Sequence, residues 1–203
     1  MASSTTWFHQ EPQHQDKEVR LLKYENQKLI ICLVRHWNSI FKIDDPFTMT
    51  KNNLLTTLPT LPREWMVEFM LKPTNLDNPG WTNIFHMTIG GGGFPNGKIG
   101  ERTPALFFNP SLGLHFASAH NGQANLAMNF PAPTVDKWTK LRMSQEMQNG
   151  KIKLKFIIED EEMLSVENAE PVGFENVKVY ASDPWDPALP GFIKNLSINV
   201  IKG

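Results

Sequence analysis

Alternation of apolar and polar positions dominates the chain from about residue 54 onward. In "EWMVEFMLK", Trp65, Val67, Phe69 and Leu71 fall on one side, and Met66, Glu68, Met70 and Lys72 on the other. In "KIKLKFII", Ile152, Leu154, Phe156 and Ile158 alternate with three lysines. "NLAMNF" groups Leu126, Met128 and Phe130, "NVKVYAS" groups Val177, Val179 and Ala181, and "NLSINVI" groups Leu196, Ile198 and Val200. A period of two is the signature of a strand with one buried face. Turn formers stand between the runs: "NPG", "PNG", "NPSLG", "HNGQ", "QNG" and "PALPG". Strands separated by such turns every ~8–12 residues predict an all-β fold, a sandwich or a barrel. Only "DKEVRLLKYENQKLI" admits a helix, at most a short one, and its continuation "LIICLV" reads as a buried strand. Residues 1–16, rich in Gln, His, Pro and Glu, read as a flexible tail, and residues 17–203 as one domain.

Charge narrows the classes of partner. The 203 residues carry a net charge of -1, with basic side chains scattered rather than blocked. That pattern argues against nucleic acid and anionic membrane as partners. No apolar run approaches the ~18 residues that a transmembrane helix needs. The lone cysteine, Cys32, sits within "LIICLV" and reads as a small buried hydrophobe. The N-terminus lacks the apolar stretch of a signal peptide. The expectation is a cytosolic location for a full-length chain, or secretion if a signal has been removed.

One stretch raises a chemical question. Gly92-Gly93-Phe94-Pro95-Asn96-Gly97-Lys98-Ile99 differs by one letter from a phosphate-binding loop, which ends in Lys followed by Ser or Thr. Ile99 lacks the hydroxyl that would hold magnesium. The motif also requires a helix directly after it, whereas "GERTPALFF" carries Gly100, Pro104 and aromatics suited to a strand. A glycine-permitted loop between two strands is the better reading, with Asn96-Gly97 as a turn pair.

The segments "EFMLKPTNLDNPGWTNIFHMTIGG", "GKIGERTPALFF", "GLHFASAHNGQANLAMNF", "WTKLRMSQEM" and "VKVYASDPWDPALPGFIKNLSI" together resemble a concanavalin A-like, laminin G-type jelly-roll domain. The resemblance covers roughly residues 54–200 and lies in the order of strands and the closing hairpin. It implies two packed antiparallel sheets, with binding on the concave face or the rim loops. Members mostly bind glycans, steroids or proteins, and some relatives are glycoside hydrolases.

The residues were weighed for each chemistry. Glycosidases of this architecture resemble one another in an E-x-D-x-x-E strand, whereas Glu159-Asp160-Glu161-Glu162 lacks that spacing and reads as a solvated hairpin turn. No G-x-S-x-G elbow is present, and no catalytic residue is assigned. His115 and His120 point to opposite faces of a strand and His86 stands alone, so no zinc site is expected. Calcium is the one cofactor kept open, with Asp77, Asn78, Asp183 and Asp186 as oxygen donors. Glu101-Arg102 is read first as a carboxylate–guanidinium brace for the glycine loop. Sugars need aromatic surfaces and fixed polar groups. Asn96, Lys98, Arg102, His120, Asn121, Gln123, Asn125 and Trp185 are therefore the expected ligand-binding set, drawn together at one end of the sandwich. The functional expectation is a non-catalytic, lectin-like glycan-binding domain. The alternatives are a protein-interaction or self-assembly module, homo-oligomeric or with a protein partner, and a small-ligand or enzymatic site in the concave face. Met66, Met70 and Ile157, on outward positions, hint at the apolar outer face that an interaction module would use.

Overall fold

The structure, a computed structural model, describes residues 18–23, 29–34, 36–77, 80–90 and 97–201. The chain divides into two compact units, the second spanning Asn38–Ile201. In the first unit, β1 (Glu18–Lys23) pairs with β2 (Leu29–Val34) as an antiparallel hairpin in the register Glu18↔Val34 to Lys23↔Leu29. This corrects the short helix expected over residues 16–30. A strand partner close in sequence supplies the backbone hydrogen bonds, so Val19 and Leu21 act as alternating strand positions rather than as part of a helical stripe. The tail over residues 1–16 and the side chain of Cys32 lie outside the described residues.

The second unit is a sandwich of two sheets. The six-stranded front sheet runs in the order β10 (Gln123–Phe130), β9 (Gly113–His120), β8 (Ala105–Asn109), β7 (Thr82–Thr88), β14 (Phe174–Tyr180), β5 (Leu54–Leu61). The seven-stranded back sheet runs β13 (Glu161–Glu167), β12 (Lys151–Ile158), β11 (Thr139–Gln148), β6 (Trp65–Pro73), β15 (Gly191–Ile201), β3 (Trp37–Ile43), and the short β4 (Phe47–Thr48) also pairs with β15. No helix occurs among the described residues, and none is long and apolar enough to cross a membrane.

Alternation decides what lies between the sheets. Trp65, Val67, Phe69 and Leu71 of β6 are buried, and their neighbours Met66, Glu68, Met70 and Lys72 are half-exposed. The same holds for Val177 and Val179 of β14 and for Leu196, Ile198 and Val200 of β15. Rings meet across the gap: Phe69 and Phe85 at 5.5 Å, Phe116 and Phe156 stacked at 5.4 Å. Met128 has the inward parity of Phe116, its register partner, yet is 39% exposed, because β10 is the edge strand of the front sheet. The outer face of the back sheet also departs from the apolar surface that Met66, Met70 and Ile157 suggested. Glu68 accepts from Arg142 at 2.8 Å, and Lys155, 9% exposed, lies 3.2 Å from both Glu146 and Glu162. Burial alone would lower the Lys155 pKa, but the hydrogen bonds it donates to Glu146 and Glu162, with their charges, outweigh it and raise the value.

Candidate functional site

Seven consecutive residues of β7, including the polar Thr82, Asn83, His86 and Thr88, are buried. A strand with one face on the core buries every second residue, so its other face must be covered too. Two segments cover it. After β14 the chain turns at Ser182–Pro187 and runs back beside β7, where the Asn83 N–H donates to the Pro187 carbonyl and the Leu189 N–H to the Asn83 carbonyl. The segment before β8 continues between β7 and β9, where the Thr103 N–H donates to the Met87 carbonyl and the Arg102 carbonyl accepts the Ala119 N–H, and its Glu101 carbonyl reaches the His86 ring.

Between these segments lies His86. Its Nδ1 is 2.8 Å from Asp183 Oδ2, and its Nε2 is 2.7 Å from the Glu101 carbonyl. Each ring nitrogen thus faces an oxygen, the Asp183 carboxylate on one side and the Glu101 carbonyl on the other. Asp183 Oδ1 takes the N–H groups of Trp185 and Asp186, an Asx turn that shapes "SDPWDP". His86 and Asp183 are 5% and 1% exposed, so the contact holds both covering segments to the front sheet from beneath.

On this outer face the rings form a continuous ribbon. Trp81 is 4.8 Å from His115 and 6.3 Å from Phe107; Phe107 is 5.8 Å from His86; His86 is 5.6 Å from Trp185, which meets Tyr180 at 6.2 Å. The register explains the order, since Phe107 pairs with His115 and Tyr180 with His86 on adjacent strands. The centre of the ribbon is buried, while Trp81 and His115 are half-exposed at one end and Trp185 is 36% exposed at the other. The Arg102 guanidinium lies 5.6 Å over the Phe107 ring. Among the described residues it has no hydrogen-bonded acceptor and no ion pair. Burial lowers its pKa, and the charges of Asp186, Glu101 and Asp183 partly offset that. Burial likewise lowers the His115 pKa, against the hydrogen bond that Nδ1 donates to Asn129 Oδ1 at 2.6 Å and with the nearby Arg102 charge. Asp186 is shifted up by burial and by Asp183, while His86, Arg102 and Lys51 pull it down.

The eight expected ligand-binding residues divide between two places. Arg102 and Trp185 belong to the ring ribbon. Trp185 packs on the outer face against His86 and Tyr180, not as a lid on the core. His120 and Gln123 line a small separate cleft with Ile99 of the glycine loop, Gln145, Asn168 and Glu170, with room for about one water. His120 Nε2 donates to the Glu167 carbonyl at 2.9 Å. Asn121 bonds twice to the segment after β13: its N–H donates to Asn168 Oδ1, and its Oδ1 accepts the Ala169 N–H. These contacts tie the β9–β10 hairpin to the back sheet. Gln123, Asn125 and Lys98 are exposed, and Asn96 lies outside the described residues. Lys98 is followed by a turn and then β8, not by a helix that could hold phosphate.

One expectation changes. The Glu101–Arg102 brace is not a carboxylate–guanidinium contact; the backbone carbonyls of both residues make it, to His86 and Ala119. Among the calcium donors, Asp183 already fills three of its roughly four acceptor sites. No group of three or more His, Cys, Asp or Glu that could hold a metal occurs among the described residues. Sequence reasoning passed over Trp81, Phe107 and the role of His115. The available signal was "ALFF": consecutive apolar residues on a strand cannot all face one core, so either Phe107 or Phe108 had to cover something on the outer face.

No protein-family model matches the chain, and no curated protein matches it by sequence. Solved structures are similar in fold. The Ruminococcus gnavus IT-sialidase CBM40 bound to alpha2,3 sialyllactose is 13% identical with a TM-score of 0.52, covering 81% of this chain and 95% of that one. The native heptameric SAP-like pentraxin from Limulus polyphemus is 12% identical with a TM-score of 0.50, covering 76% and 75%. The mouse laminin alpha1 chain, domains LG4-5, is 13% identical with a TM-score of 0.50, covering 79% of this chain and 43% of that one. The sandwich is a concanavalin A-like jelly roll, as the segment order implied.

Proposed function

We propose that this concanavalin A-like jelly roll binds a glycan on the outer face of the front sheet, across the ring ribbon from Trp81 to Trp185. The observation that carries the reading is Arg102, a half-buried guanidinium laid on Phe107 with no acceptor of its own, between two solvent-reaching tryptophans. A pyranose presents an apolar C–H face and a rim of hydroxyls. The tryptophans suit the first, and a fixed fork of N–H donors suits the second. His115, held toward its neutral form by burial and donating from Nδ1 to Asn129 Oδ1, offers Nε2 as an acceptor for a hydroxyl. The CBM40 module of the same fold is bound to sialyllactose, which supports a sugar as the class of ligand. His120 and Gln123, in the separate cleft beside Gln145 and Asn168, lie outside this platform.

A glycan array on the purified protein, followed by titration of the best ligand, tests this. Arg102→Ala and Trp185→Ala should each weaken binding tenfold or more, about 1.4 kcal/mol, with little change in melting temperature. A Trp185→Ala variant that melts earlier but binds unchanged, or an array without any bound glycan, would overturn the assignment.

A further inference from the structure

We propose that the outer face of the back sheet is a self-association surface, on which a second copy of this chain docks about a two-fold axis parallel to the strands. The acidic β12–β13 turn of each copy meets Lys72 and Lys194 of the other. Lys194 Nζ lies 4.3 Å over the Trp138 ring, and Lys72 Nζ lies 5.5 Å from the same ring and 5.3 Å from Phe192. Two ammonium groups thus share one ring, and among the described residues neither has a carboxylate at ion-pair distance. The acid of the neighbouring register row, Glu68, is taken by Arg142 at 2.7 Å. Across the sheet the imbalance reverses. Asp160 is exposed and unpaired among the described residues, and on the outer face Glu162 and Glu146 share the single ammonium of Lys155, two carboxylates for one charge.

The register makes the two halves self-complementary. Lys140 pairs with Met70, Met70 with Lys194, and Leu141 with Ile158, just before the acidic turn. The acidic turn and Lys194 therefore lie about three strand spacings apart, roughly 14 Å, on opposite sides of the line between β11 and β6. A two-fold axis along that line lays the acidic half of each copy on the basic half of the other, a closed isologous contact. Half-buried Met66, Met70 and Ile157 lie within this face, apolar area that the contact would remove from water. Six strands at ~4.8 Å by about eight residues at ~3.3 Å give roughly 750 Å², close to the area a standard interface takes from each partner. The front sheets then point away from each other, and two glycan platforms per particle gain avidity.

Light scattering and sedimentation equilibrium on the full chain test the proposal. The expected result is a dimer at low salt whose dissociation constant rises at least tenfold in about 1 M salt, where screening acts over ~3 Å. Lys72→Glu with Lys194→Glu, and separately Asp160→Lys with Glu162→Gln, should each give a monomer with unchanged circular dichroism, since Glu146 still holds Lys155. Mixing the two variants should restore a dimer, because both contacts are again of opposite sign. A monomeric wild type, a dimer indifferent to both charge reversals, open-ended assembly, or a monomer that instead holds polyglutamate through the lysines would each overturn it.

Discussion

Single residues set the chemistry of the outer face, and His115 shows how. Its ring packs against Trp81 and Phe107, and burial lowers its pKa from the ordinary 6.5. The unfolded chain therefore binds this proton more tightly than the folded one. Stability should rise with pH across the window just below 6.5, since there the unfolded state holds more protons. Asp186 acts with the opposite sign in a lower window, above 3.8, because its raised pKa makes the folded state the tighter binder. Urea midpoints measured between pH 4.5 and 7.5, the range of ~6.5 and below for histidine, should climb with pH in the wild type and climb less in His115→Gln. Equal slopes would show that the ring does not titrate in this way. The sequence displayed His115 as one of an alternating pair with His120. It did not display the desolvation, which comes from a tryptophan 34 positions earlier in the chain.

At the scale of elements, the turn between β14 and β15 depends on one carboxylate. Asp183 accepts two backbone N–H groups of its own turn and the imidazole of a strand 97 residues away. Asp183→Ala should cost roughly 3–5 kcal/mol, the usual loss when one partner of a buried charged contact is removed. It should also release the Trp185 turn, so glycan affinity falls with stability, unlike the Trp185→Ala case. A denaturant midpoint close to wild type would mean the turn is held by Pro184 and Pro187 and not by Asp183. "SDPWDP" was legible as a turn from its composition, and Trp185 as a residue with no strand face to fill. The identity of its neighbours was not legible, because the front sheet sets His86 beside Tyr180 by a pairing of strands distant in sequence.

For the whole molecule, stability rests on the layer where the two sheets meet. Phe156 of the back sheet stacks on Phe116 of the front sheet at 5.4 Å and lies 4.9 Å from Phe130, fully buried. Phe156→Ala should cost about 3–5 kcal/mol, or roughly 6–20 °C in melting temperature for a domain of this size. A loss below about 1 kcal/mol would mean the sheets close over the gap. By itself the sequence determined the class of fold, which residues of each strand face inward, and where the chain turns, because a strand's period of two and the backbone preferences of Gly, Pro and Asn are local properties. It also determined that no helix follows Lys98. It did not determine the partner of β1, the coverage of β7 on both faces, the ribbon of rings or the division of charge on the back sheet. Each of those depends on which strands lie side by side, and strand order is fixed only when distant segments compete for the same edges and the same core.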